Sequence, residues 1–160
     1  MSPPRRMQFV LIDELVRLEP RSRARARTLF PADTEIFADH FPGLPIVPGV
    51  LLTEAMAQTS GWLIAASASF KCWPFLVMIR NAKFRKPVGP DRPIDVEAAI
   101  HRARGHVVET MAHAEVEGVR VATASLVFHV RDLSSSGDER LEQWARDTFA
   151  RLKGPSALVD

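Results

Sequence analysis

Hydrophobic and polar positions change period several times along the chain. Between Val50 and Ala66 the apolar residues Leu51, Leu52, Ala55, Met56, Trp62, Leu63 and Ala66 recur at three- and four-residue spacing with very few charges among them, which predicts a helix buried nearly all round. A helix that apolar must be central. From Ser22 to Phe30 the period is two, with Arg23, Arg25 and Arg27 alternating with Ala24, Ala26, Thr28 and Phe30, the pattern of a half-exposed strand. Ile94 to Arg102, Val107 to Val116 and Arg120 to Val130 predict three more strands, and the links Arg104-Gly105 and Glu117-Gly118 predict hairpin turns between them. Phe75 to Ile79 is a β-rich run after Pro74, and Phe9 to Leu18 is a packing segment, closed by Pro20, whose type the pattern leaves open. Prolines at 31, 42, 45 and 48 remove backbone donors and restrict the residues before them, so Pro31 to Pro48 should be an ordered loop. Ser134 to Gly137 reads as a linker, after which Leu141, Trp144, Ala145, Thr148, Phe149 and Leu152 mark one face of an amphipathic helix. The layout is α+β, one long helix packed on a face of an antiparallel meander.

Composition narrows this little. With 160 residues the chain fits one domain, and 46% hydrophobic with 25% charged residues excludes a disordered or collagenous chain. A single cysteine, Cys72, closes no internal disulfide and suits a reducing compartment. Gln8, Asp13, Glu14 and Arg17 interrupt the apolar residues after the basic start, so no signal sequence is evident and a cytoplasmic chain is expected. Glu54, Gln58 and Gly61 break the only other candidate membrane stretch. A net charge of +2 falls short of a nucleic-acid footprint, and the arginine row lacks the aromatic or glycine interleaving that RNA recognition uses.

The densest chemical signal runs from His40 to Gln58, HFPGLPIVPGVLLTEAMAQ. His40 ends a proline-stiffened loop and is the one neighbouring group whose ordinary pKa suits a base near neutrality. Gly49 stands at a helix start, where unpaired N–H groups and the helix dipole favour a developing negative charge and a missing side chain permits close approach. Glu54 is the sole acidic residue between Asp39 and Asp91. Buried in apolar surroundings it should keep a proton to donate, with Gln58 one turn on to orient it. Singly, each residue has an ordinary explanation: a solvated histidine, a surface glutamate, a turn before a helix. Their combination is what points to chemistry.

These residues, with Lys83-Phe84-Arg85-Lys86-Pro87-Val88 downstream, closely resemble the FabZ-type (3R)-hydroxyacyl-[acyl-carrier-protein] dehydratases. The resemblance spans about residues 8 to 132. It implies a hotdog fold over residues 1–133, a long central helix wrapped by antiparallel sheet, with 134–160 as linker and appended helical tail. It implies reversible loss of water from a hydroxyacyl thioester to give the trans-2-enoyl product, in fatty-acid or lipid A acyl-chain biosynthesis, without a metal or redox cofactor. His40 would take the α-proton, Glu54 would protonate the leaving hydroxyl, the Gly49 amide would polarise the thioester carbonyl, and Gln58 would orient the acid. Phe75 and Val50 would line the substrate path, Phe75 standing where relatives often carry a gating tyrosine. Acyl carrier protein, an acidic partner, would meet Lys83, Arg85 and Lys86. A homodimer, or a trimer of dimers, would build each site from two subunits.

Two rivals share that fold: a thioesterase that activates water against the polarised carbonyl, and a non-catalytic subunit that binds acyl carriers. The thioesterase has no need of the His-Phe-Pro loop, and the binding subunit has no need of both His40 and Glu54. His101, His106, His113 and His129 lack acidic or cysteine partners at ligand spacing.

Overall fold

A computed structural model describes residues 9–133 and 138–155. The basic start of the chain and the linker expected at 134–137 lie outside the described residues. The elements are β1 (Glu14–Glu19), β2 (Arg23–Thr28), α1 (Ile36–Asp39), α2 (Gly49–Ser67), β3 (Cys72–Phe84), β4 (Ile94–Arg104), β5 (Val107–Val116), β6 (Val119–Asp132) and α3 (Glu139–Leu152). All strand pairs are antiparallel, in one sheet of order β1-β2-β4-β5-β6-β3. The helix α2 touches every strand of it. This is the hotdog arrangement, and the segment left open in the sequence, Phe9 to Leu18, supplies the edge strand β1.

Close wrapping follows from small inward side chains. Ala24 and Ala26 on β2, Ala98 on β4, Ala112 and Ala114 on β5, and Ala122 and Ala124 on β6 are all buried. Their alternation with outward residues is the period-two pattern that places one face on the core. A sheet floor of alanines leaves room for α2 to approach and insert Leu52, Met56 and Leu63, all buried. The polar atoms that go in with the helix are paired: the Thr110 hydroxyl donates to Ser60 Oγ at 2.9 Å, and the Thr59 hydroxyl to the Ala55 carbonyl at 2.8 Å.

The hairpin signals behave as their chemistry requires. Glu117 and Gly118 both have positive φ, 51° and 74°, the pair of left-handed residues a type I′ turn needs. On the outer face the arginine row is engaged by carboxylates: Arg23 bonds Glu19, and Arg25 and Arg27 both reach Asp95. Three local expectations need correction. The proline-rich loop contains the single-turn helix α1, because its prolines flank Ile36–Asp39 rather than interrupt it. The central helix begins at Gly49, one residue earlier than its apolar period shows, with Pro48 outside as N-cap. The run expected over Phe75 to Ile79 belongs to a strand of 13 residues that carries Lys83 within it, since pairing with β6 continues through Phe84↔Ala122.

At the far end, α3 buries Ala145 and Leu152 in a hydrophobic cluster with Leu15, Trp62 and Phe70. The Gly154 N–H donates to the Leu15 carbonyl at 3.1 Å, and Arg146 donates to the Ser69 carbonyl at 2.9 Å. No helix among the described residues is long and apolar enough to cross a membrane.

Leu126 on β6 is fully buried in the main core. Leu126→Ala is expected to cost about 2–5 kcal/mol through lost transfer energy and the cavity left behind. Urea unfolding of both proteins at one fixed protomer concentration measures it.

Candidate active site

His40 is positioned by two backbone turns. Its N–H donates to the Ile36 carbonyl at 3.0 Å, ending α1, and its carbonyl accepts from Ile46 at 3.2 Å, closing the loop. Val47 ties that loop to Val88 through a 2.7 Å backbone bond. The imidazole Nδ1 lies 3.2 Å from the Ile46 carbonyl oxygen. A carbonyl only accepts, so in the neutral ring the hydrogen belongs on Nδ1 and the lone pair on Nε2. That tautomer is the one a base needs. Phe41 stacks on the ring at 4.2 Å between centroids, narrowing its freedom to turn.

Gly49 opens α2 directly after Pro48. The first N–H groups of a helix have no intrahelical acceptor, and the dipole makes their surroundings receptive to negative charge. The absent side chain has a specific use here. A Cβ on Gly49 would stand 3.0 Å from three carbons of the Phe84 ring, so glycine lets the end of β3 press against the helix start. A cavity of about 380 Å³ of a different composition lies beside Val116 and Arg92, whereas the one at Gly49, about 320 Å³, is bounded by Leu52, Phe84, Arg85 and Lys86.

Glu54 sits further along α2 and is held by Gln58. The Gln58 Oε1 accepts from the Leu11 N–H at 2.9 Å, which fixes the amide orientation. Its Nε2 then donates to the Phe9 carbonyl at 2.8 Å and to Glu54 Oε1 at 3.0 Å. With Oε1 committed as an acceptor, a proton on the Glu54 carboxyl belongs on Oε2. Glu54, Gln58 and Phe75 line a further cavity of about 360 Å³, mostly walled by apolar side chains.

The expected residues therefore fall into separate groups in one chain. Glu54, Gln58 and Phe75 share one cavity, Gly49 shares another with Arg85 and Lys86, and His40 lines neither of them. Lys83 stands on β3 opposite Thr123, outside both linings. Val50 is 72% exposed and also lines neither. The expectation of a buried Glu54 needs correction: within a single chain it is only half-buried, because the sheet ends at β3 and leaves that flank of α2 open to the cavity. Several contributors escape the sequence pattern. The backbone of Phe9 and Leu11 clamps Gln58 across 47 or more residues, and Phe84 abuts Gly49 from the far end of β3. Trp62, Trp73 and Trp144 wall the Glu54 cavity; the helical period exposed Trp62 and Trp144 only as members of packing faces.

A family model described as a FabA-like domain matches residues 3–125. The chain is 36% identical over 128 residues to a 3-hydroxyacyl-[acyl-carrier-protein] dehydratase FabZ of Ligilactobacillus salivarius, covering 79% of this chain and 91% of that one. It is 37% identical over 125 residues to the protein of the same name from Bartonella bacilliformis, covering 77% and 81%. Among solved structures, a thioesterase from Haemophilus influenzae superposes with a TM-score of 0.59 at 10% identity, covering 72% of this chain and 76% of that one. That last likeness speaks for the fold alone.

Replacing Gln58 by leucine removes the acceptor of the buried Leu11 N–H. Gln58→Leu is expected to lose about 1–3 kcal/mol of stability, the cost of stranding a buried donor. Denaturant unfolding, together with faster amide exchange at Leu11, is the measurement; unchanged exchange there counts against the clamp.

Proposed function

Because the chain belongs to the FabA-like family and, within it, to the FabZ-type 3-hydroxyacyl-[acyl-carrier-protein] dehydratases, we propose that His40, Gly49, Glu54 and Gln58 carry its dehydration chemistry. The His40 Nε2 takes a proton from C2 of a (3R)-hydroxyacyl thioester. The Gly49 N–H donates to the thioester oxygen as enolate-like charge gathers there. Glu54 gives its proton to the C3 hydroxyl, the C3–O bond breaks, the C2=C3 bond forms and water departs. Gln58 positions the acid, and no redox partner enters the balance.

The observation that carries this reading is the pair of oriented groups: an imidazole whose Nδ1 is spent on Ile46, and a carboxyl whose Oε1 is spent on Gln58. Each presents one defined atom for proton transfer.

The site requires two chains in this proposal. Among the described residues β3 pairs only with β6, and its other edge is left open. Along it Phe75, Val77, Met78 and Ile79 are all exposed, an apolar edge of the kind that seeks another strand. A two-fold axis through the middle of β3 would pair it with a second copy. One chain's Phe84 end, with Gly49, would then face the other chain's Trp73 to Leu76 end, where Glu54 opens. The Haemophilus thioesterase fold accommodates hydrolysis as well, but nothing at Glu54 or His40 favours that reading over dehydration. Arg85 and Lys86 beside Gly49 support docking of an acidic acyl carrier protein at the cavity mouth, with Lys83 on the adjoining strand. The free Cys72 suits a cytoplasmic setting.

Incubating the protein with a trans-2-enoyl thioester tests the reaction class: loss of enoyl absorbance without free thiol is expected, and thiol release would point to hydrolysis. His40→Ala and Glu54→Gln are each expected to lower kcat by about 100- to 10,000-fold, the usual worth of a general base or acid. Mixed dimers of the two variants should regain activity through one intact site. No recovery in verified mixed dimers would mean that both residues act within one subunit. Reversing the charges of Lys83, Arg85 and Lys86 should raise KM for carrier-bound substrate far more than for a pantetheine thioester. That difference should shrink as salt shortens the Debye length below the ~8 Å of physiological conditions; an effect equal on both substrates overturns the docking assignment.

A further inference from the structure

The Glu54 cavity is lined by three tryptophans that come from three separate elements. Trp62 on α2, Trp73 on β3 and Trp144 on α3 all line it. Their rings meet pairwise: Trp62 and Trp73 at 5.5 Å, Trp73 and Trp144 at 5.6 Å, and Trp62 and Trp144 at 6.0 Å between centroids. These are the only tryptophans in the chain. Eight residues along α2 separate Glu54 from Trp62, about 12 Å of helix, so the tryptophan group lies well along α2 from the carboxyl. Gly61 lines the wall between them, where a side chain would narrow the passage.

The third ring comes from outside the part of the chain that matches the family. The matched domain stops at residue 125, whereas α3 covers Glu139–Leu152. We propose that α3 is a specificity element: Trp144 forms the end wall of the acyl chamber and sets the length of hydrocarbon tail that the chamber accepts. This rests on the dehydratase reading, since it takes the acyl tail of the thioester as occupant of the cavity into which Glu54 opens. The lining has the chemistry for it, because hydrocarbon gains by contact with apolar and aromatic walls and, among the described residues, no charged side chain other than Glu54 lines this cavity.

The wall can be removed without removing the helix. Ala145, Thr148 and Leu152 are buried, Arg146 is bonded to the Ser69 carbonyl, and Gly154 is bonded to Leu15. None of these contacts involves Trp144. An end wall acts on the tail and leaves the reacting carbons alone, so its loss should alter discrimination between chain lengths.

The experiment compares 3-hydroxybutyryl, 3-hydroxyoctanoyl and 3-hydroxymyristoyl pantetheine thioesters in the full-length wild-type protein, Trp144→Ala and Trp144→Phe. In Trp144→Ala the ratio of kcat/KM for the myristoyl to the butyryl substrate should rise about tenfold, the scale on which pocket size discriminates hydrocarbon. Trp144→Phe, which keeps a ring against Trp62, should stay nearer the wild-type ratio. A ratio that does not move, or a loss shared equally by all lengths, overturns the proposal. A second measurement on the wild type needs no turnover. Pantetheine thioesters of saturated chains brominated at the terminal carbon should quench tryptophan emission increasingly as the chain lengthens toward the aromatic end. Quenching independent of length overturns the end-wall assignment even where Trp144→Ala fails to fold. Failure of the wild type to hydrate any enoyl thioester would instead strike the dehydratase reading, while length-dependent quenching would still report where the tail lies.

Discussion

A nineteen-residue helix with one carboxylate and no other charged side chain has to be covered from almost every side, and the rest of the molecule is arranged to do so. The sheet meets that demand with alanines on its inner face, which lets backbone and helix approach closely, and with strands numerous enough to curl around α2. Burial on this scale tolerates polar atoms only in pairs, which the Thr110–Ser60 bond supplies. The exception to full cover is the flank beyond β3, and there the carboxylate of Glu54 emerges. The place where the wrapping stops is thus also where the helix's one carboxylate becomes accessible.

The open edge of the sheet and the separation of Gly49 from the Glu54 cavity are two aspects of one geometry. Gly49 is pressed against Phe84 at one end of β3, and Glu54 opens beside Trp73 to Leu76 at the other. Within a chain those ends are held apart by the length of an extended strand. A two-fold pairing of β3 with a second copy would cover the apolar edge and bring the opposite ends together, so a single contact would serve both stability and catalysis. The preparatory work is done inside each chain. Ile46 selects the His40 tautomer, and Phe9 and Leu11 set the Gln58 amide, which in turn holds Glu54.

Against the helix and loop that carry these residues, α3 stands apart. It lies beyond the residues the family model matches, yet it packs on Trp62 and Phe70 and contributes a ring to the cavity that Glu54 enters. Glu54 and His40, the proposed proton-transfer groups, sit on the wrapped helix and its tied loop, where displacement is costly. The far wall sits on an added helix fixed by its own contacts, where a change of side chain can reshape the chamber and leave the reacting end undisturbed.

Periodicity in the sequence determined α2, β2, β4, β5 and β6, because burial of one face imposes a repeat that neighbouring residues display together. The type I′ turn at Glu117-Gly118 was equally legible, since its left-handed backbone calls for glycine. The His40 to Gln58 run disclosed candidate base, acid, amide and orienting group through residue type and spacing on one helix. The segment before Pro20 was not legible as a strand, since β1 mixes burial with exposure at a bulge between Leu15 and Arg17. Nor was the length of β3, whose first half is apolar on consecutive positions and whose second half carries Arg80, Asn81 and Lys83 across a register shift, so no alternation runs through it. Only the tertiary structure decided that Glu54 is half-open, that Gln58 is clamped by residues 47 and 49 positions away, and that three tryptophans converge. Those outcomes depend on which distant segments share a surface, and local period carries no record of that.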